Sequence, residues 1–157
     1  MASDGRHLGH LPSGLTICCS IPDMLFLPEL VFGGLVWILV ACTYIVPYNP
    51  QAYVMAVSVF CFVCTFLWMM VFMCGSHNNR NSWATAVITC SYDVFYHFLA
   101  SVLYLSASVP LAMVTLAFNS SLTLIYQLNI SAVVFSYLTT LLYVIHTIFS
   151  AIRWKTF

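Results

Sequence analysis

From residue 24 onward the chain consists of long apolar runs separated by short polar breaks. A membrane-spanning helix needs about 20 mostly apolar residues, and four runs reach that length. The first covers residues 24–46, opened by Pro22 and Pro28 and closed by Pro47 and Pro50. The second covers 53–73 and contains no charged residue. The third lies within 83–118, and the fourth covers 130–152, just before Arg153. The pattern predicts an all-α membrane protein, a four-helix transmembrane bundle over residues 24–152. Short tails at 1–23 and 153–157 flank it. The third run is too long for one span, since its full length as a helix would measure about 50 Å. It is too short for two spans and a turn. The span itself is placed at 93–118, with 83–92 in the headgroup zone or prolonging the helix. Pro110 lies inside this span, where its missing N–H predicts a kink.

The few charges set the expected orientation. Arg6, Arg80, Arg153 and Lys155 are the only Lys and Arg residues, and loops 47–52 and 119–129 contain none of them. In a four-span chain all four basic residues fall on one side, which the positive-inside rule makes cytosolic. Both termini are therefore expected in the cytosol. Tyr44, Tyr48 and Tyr53 flank the first external loop and Trp154 sits at the cytosolic exit, as interfacial aromatics do. Composition agrees: 62% of residues are apolar and 5% charged, against about 25% charged in soluble domains. Lipid is the solvent such a surface needs. The net charge of zero argues against a nucleic-acid partner, which requires clustered basic residues. The first span is expected to act as an uncleaved insertion signal, with no secretory signal peptide before it.

Ionisable residues inside a span are costly and mark function or structure. Glu29, Asp93, His97 and His146 all fall in the cytosolic leaflet on this reading, and they are expected to form one polar layer linking spans one, three and four. The favoured role is a hydrogen-bonded clamp between helices. The alternative is a small ion channel or proton-coupled transporter, which needs polar steps through both leaflets; the outer halves offer only scattered Ser, Thr and Tyr hydroxyls. These side chains suit Zn²⁺ chemically, but no metal, cofactor or catalytic residue is assigned. Asp93, His97 and Ser101 lie on one helix with nothing to position a substrate. Cys61 and Cys64 match a C-x-x-C pattern, yet no loop supplies the second pair a redox relay needs.

Close packing holds helices together in lipid. Gly33 and Gly34 in span one are the main packing candidates, within the chain or as a face for a homo-oligomer. Seven cysteines are present, none in an external loop, so no disulfide framework is expected. Cys18, Cys19 and Cys74 flank spans on the cytosolic side and are candidates for S-palmitoylation. Asn119 and Asn129 open glycosylation sequons beside the second external loop; Asn129 abuts the membrane, leaving Asn119 as the candidate.

Several segments carry a resemblance. They are Phe32-Gly-Gly-Leu-Val-Trp-Ile-Leu-Val-Ala41, Val54-Met-Ala-Val-Ser-Val-Phe-Cys-Phe-Val63, Leu103-Tyr-Leu-Ser-Ala-Ser-Val109, Ala132-Val-Val-Phe-Ser-Tyr137, and the stretch from Leu141 to Lys155. With Leu11-Pro-Ser-Gly14 and Ile21-Pro-Asp23 they resemble, in order, the myelin and lymphocyte protein family of MARVEL-domain proteolipids. The resemblance implies four transmembrane helices with cytosolic termini and no enzymatic activity. It also implies a raft-associated proteolipid of apical or polarised vesicle transport and of myelin-type membranes. The implied locations are the apical plasma membrane and Golgi-derived and endosomal vesicles. The expected partners are membrane lipids, sterol and sphingolipid above all, and other membrane proteins as cargo. Arg153, Trp154 and Lys155 match the family's C-terminal element, read either as a sorting signal or as a positive-inside anchor. The loops 76–82 and 117–129 and the region around Asp93 depart from the family pattern.

Overall fold

The computed structural model describes residue 15 and residues 19–43, 50–74, 83–117 and 123–156. Arg6, Cys18, Tyr44, Tyr48, Arg80 and Asn119 lie outside the described residues. A 3-10 turn, Asp23–Leu25, leads into α1 (Phe26–Ala41); α2 (Pro50–Met73), α3 (Trp83–Ala117) and α4 (Thr123–Thr156) follow. All four helices are long and apolar enough to cross a membrane. In hydrocarbon every backbone polar group must find a partner within the protein, and the helix is the local way to do so.

Prolines mark the starts, where a helix has no use for the first N–H groups. Pro28 sits in the first turn of α1 and Pro50 is the first residue of α2. At the other end of α1, the Thr43 hydroxyl donates to the Val40 carbonyl at 2.6 Å, and the Cys42 N–H donates to the Ile38 carbonyl. These bonds satisfy carbonyls that the ending helix would otherwise orphan.

α3 fills its apolar run, with 83–92 prolonging the helix, whereas α4 is longer than its run. α3 begins at Trp83 and continues through Pro110 as one element. Its polar first turns are compatible with this because Thr89 and Ser91 bond back to the carbonyls of Thr85 and Val87. α4 starts at Thr123 rather than near residue 130, and takes in Asn129. Asn129 looks like loop in sequence, yet it is buried and accepts a 2.7 Å bond from the Gln51 amide of α2. α4 also runs on to Thr156, so residues 153–156 are helix and not a separate tail.

α3 packs most extensively against α4, and α1 packs against both α4 and α2. Many small hydroxyl side chains are buried beside the apolar core, while many large apolar ones face outward. Ser58, Thr65, Ser108, Ser136 and Thr139 are fully buried, whereas Phe95, Met113 and Leu116 are mostly exposed. Lipid offers no reason to hide Leu or Phe, so close approach and hydrogen bonds replace the hydrophobic drive. Ser108 and Ser136 join α3 to α4 at 2.6 Å. Thr65 of α2 lies 2.7 Å from the Tyr96 hydroxyl and 2.6 Å from that of Tyr143. The Tyr96 hydroxyl donates onward to the Cys61 carbonyl at 3.0 Å.

The two glycines of α1 face different neighbours inside the chain. A Cβ on Gly33 would stand 3.0 Å from the Tyr104 hydroxyl, and one on Gly34 would stand 3.4 Å from the Phe62 ring. Among the described residues the buried Tyr104 hydroxyl has no hydrogen-bond partner, so it is both the obstacle and expendable. Gly33→Ala in the native chain should range from neutral to about 2 kcal/mol destabilising. A helical Ala gains about 1 kcal/mol over Gly, and overpacking costs about 1–3 kcal/mol. Adding Tyr104→Phe removes the obstructing atom, so the double variant should be more stable than either single one. Unfolding in mixed detergent micelles reads this directly; strictly additive effects would refute the contact.

Candidate functional site

The structure brings Glu29, Asp93, His97 and His146 together, all fully buried. The helical spacings place them. Asp93 and His97 are one turn apart on α3, so they share a face. His146, Ser150 and Arg153 recur at four and three residues on α4 and share another. Glu29 lies one turn beyond Phe26 on α1.

The two imidazoles stack with ring centroids 3.6 Å apart. Glu29 lies at one edge of the stack and Asp93 at the other. His146 Nδ1 is 2.8 Å from Glu29 Oε1, and His97 Nε2 is 3.5 Å from Glu29 Oε2. On the opposite edge, His97 Nδ1 is 3.3 Å from Asp93 Oδ1, and His146 Nε2 is 4.0 Å from Asp93 Oδ2. Each histidine therefore lies between the same two carboxylates, although His146 Nε2 is too far from Asp93 for a hydrogen bond. His97 Nδ1 also lies 2.8 Å from the Asp93 carbonyl oxygen. A carbonyl only accepts, so Nδ1 carries the proton and Nε2 is left facing Glu29. Phe26 closes the stack from α1, its ring centroid 4.8 Å from His146 and 5.4 Å from His97.

Asp93 is the most connected member. Its Oδ1 accepts from the Trp68 indole N–H at 2.7 Å. Its Oδ2 accepts from the Ser150 hydroxyl and, at 3.0 Å, from Arg153 Nη2. The other arm of the same guanidinium, Nη1, donates to Asp23 Oδ1 at 2.7 Å. One Arg thus clamps the turn before α1 to α3, from its place near the end of α4. The Arg153 guanidinium also lies 5.5 Å over the Phe72 ring of α2, within cation–π range. Of the four acidic residues in the chain, Asp23, Glu29 and Asp93 are all here, with a single guanidinium facing them. All four helices contribute to the cluster, and the start of α1 meets the end of α4.

The profile of the MARVEL family, a membrane-associating domain, matches residues 18–149. The chain belongs to the MARVEL family. It is 48% identical over 148 residues to the myelin and lymphocyte protein of Homo sapiens, covering 93% of this chain and 92% of that one. The same protein from Canis lupus familiaris is 47% identical over 147 residues, with 93% and 92% covered. The CKLF-like MARVEL transmembrane domain-containing protein 8 of Bos taurus is 26% identical over 139 residues, covering 87% of this chain and 76% of that one. No solved structure matches the chain. The chain is an integral multi-pass membrane protein, and its MARVEL helices enclose a buried polar cluster.

Of the C-terminal trio in this MARVEL bundle, only Arg153 turns inward; Trp154 and Lys155 are exposed. Sequence reading placed Arg153 in a tail and left out Asp23, Trp68 and Ser150. The repeat His146, Ser150, Arg153 along one helix face was the available signal. Cys19, Cys42 and Cys74 are exposed, Cys61 and Cys90 are buried, and the described cysteines are free thiols. Ser101 donates to the Phe98 carbonyl of its own helix at 2.7 Å.

Proposed function

We propose that the chain is a non-enzymatic organiser of sterol- and sphingolipid-rich membrane. It would act in vesicle carriers for apical or polarised transport and in myelin-type membranes. The observation that carries this reading is the likeness to the myelin and lymphocyte protein at 48% identity over nearly the whole chain. The build of the bundle supports it. Polar groups are turned inward, leaving an apolar lipid-facing shell that includes Phe95, Phe98 and Met113. α3 and α4, at 35 and 34 residues, would each measure about 50 Å, more than the hydrocarbon core of about 30 Å. Thicker, ordered bilayers accommodate long helices with less mismatch, though each ångström is worth only fractions of a kcal/mol. Acyl chains on Cys18, Cys19 and Cys74 and self-association would add to that bias. Cys19 and Cys74 are accessible to acylation. Both termini are placed in the cytosol by the basic residues, with the protein in the apical plasma membrane and in Golgi-derived and endosomal vesicles.

The test is partitioning of the purified, acylated protein between ordered and disordered phases of giant vesicles. Enrichment in the ordered phase is the expected outcome, reduced when Cys18, Cys19 and Cys74 are changed to Ser. Exclusion of the acylated protein from that phase would remove the basis of the reading.

A further inference from the structure

We propose that Glu29, His97 and His146 form a binding site for a divalent transition-metal ion of the Zn²⁺ class, with Asp93 orienting His97 from behind. Each of the three residues offers one ligand atom, and these atoms all lie within 4.8 Å of one another. Two imidazole nitrogens and a carboxylate are a donor set that suits Zn²⁺.

The arrangement behind the donors is the stronger argument. A metal-bound histidine usually gives its second ring N–H to a carboxylate or backbone carbonyl, which fixes the tautomer and the ring direction. Here both rings turn one nitrogen to Glu29; the other nitrogen of His97 lies 3.3 Å from Asp93, while His146 Nε2 lies 4.0 Å from it, too far for a hydrogen bond. His97 Nδ1 is also held by a backbone carbonyl, which frees Nε2 as a ligand. Asp93 is itself fixed by Trp68, Ser150 and Arg153.

A second observation points the same way. Among the described residues, His97 Nε2 and Glu29 Oε2 have no hydrogen bond and face only one another, at 3.5 Å, although both belong to fully buried residues. Polar atoms left in that state are rare and costly. A cation between them satisfies both. Among the described residues, Asp23, Glu29 and Asp93 against Arg153 leave two negative charges when the imidazoles are neutral, which one divalent ion would balance as two imidazolium protons would. Around tetrahedral zinc, bonds of about 2.0–2.1 Å hold donors about 3.3 Å apart. Binding therefore calls for only small shifts, with the Glu29–His146 pair opening from 2.8 Å and the widest pair, no more than 4.8 Å apart, closing.

The full-length chain would be expressed with added ZnCl₂, purified in detergent, and its metal content measured after dialysis against a weak chelator. X-ray absorption of the zinc-loaded protein then identifies the donors. The expected result is one zinc per chain with a nitrogen and oxygen shell showing imidazole scattering, and at least a tenfold loss of bound metal in Glu29→Gln. A sulfur shell would assign the metal to cysteines and overturn the site, as would absence of bound zinc. Metal retained in a folded Glu29→Gln variant would overturn it too. Should that variant fail to fold, the absorption spectrum of the unmodified chain decides alone.

Discussion

Asp93→Ala is expected to destabilise the bundle by about 3–5 kcal/mol, the usual cost of removing one partner from a buried ion pair. The substitution deletes the acceptor for Trp68, Ser150 and Arg153 together. Three donors on two other helices then lose a partner in a region with little water to replace it, and His97 and His146 lose one of their two carboxylates. Asp93→Asn keeps one carbonyl oxygen for Trp68 but removes the charge opposite Arg153, so it should recover part of the loss. Ser91→Ala, one turn-face away on the exposed side of the same helix, should stay within about 0.5 kcal/mol. Unfolding with increasing SDS in mixed micelles measures all three. If Asp93→Ala and Ser91→Ala unfold alike, Asp93 is not the hub described.

Arg153→Ala and Lys155→Ala should part company in the same assay. They are two residues apart and carry the same charge, so a topology signal or a simple basic anchor would treat them as equals. The structure does not. Arg153 spans Asp23 and Asp93 with separate nitrogens, while Lys155 is exposed. Losing Arg153 should cost about 3 kcal/mol because two buried carboxylates keep their charge without a counterion. Losing Lys155 should cost less than about 0.5 kcal/mol. Arg153→Lys should fall between, since one ammonium cannot reproduce the two-armed fork. Equal losses for Arg153→Ala and Lys155→Ala would return Arg153 to the surface.

Four spanning helices were legible because hydropathy, proline positions and basic residues all mark the same breaks. The intramembrane ionisable residues were legible because each is conspicuous against an apolar background. What escaped was the part of the cluster that does not look intramembrane. Asp23 precedes the first apolar run and Arg153 follows the last, so both read as solvent-facing ends. Only tertiary pairing makes them interior. Asn129 escaped for the same reason: its partner, Gln51, is 78 residues away, and a lone Asn at a run boundary signals loop. The ends of α4 were harder still, since hydropathy falls off before the hydrogen-bonded helix does.

The Arg153–Asp23 bond joins residues 130 positions apart, and the Glu29–His146 bond joins residues 117 apart. During synthesis, α1 therefore enters the bilayer with two carboxylates whose partners have not yet left the ribosome. Nascent chains must carry that mismatch until α4 is inserted, and closure belongs to the last moments of biogenesis. A lesion at Arg153 would then surface as retention and turnover by quality control in the endoplasmic reticulum. It would look like missorting to anyone who scored only the final address.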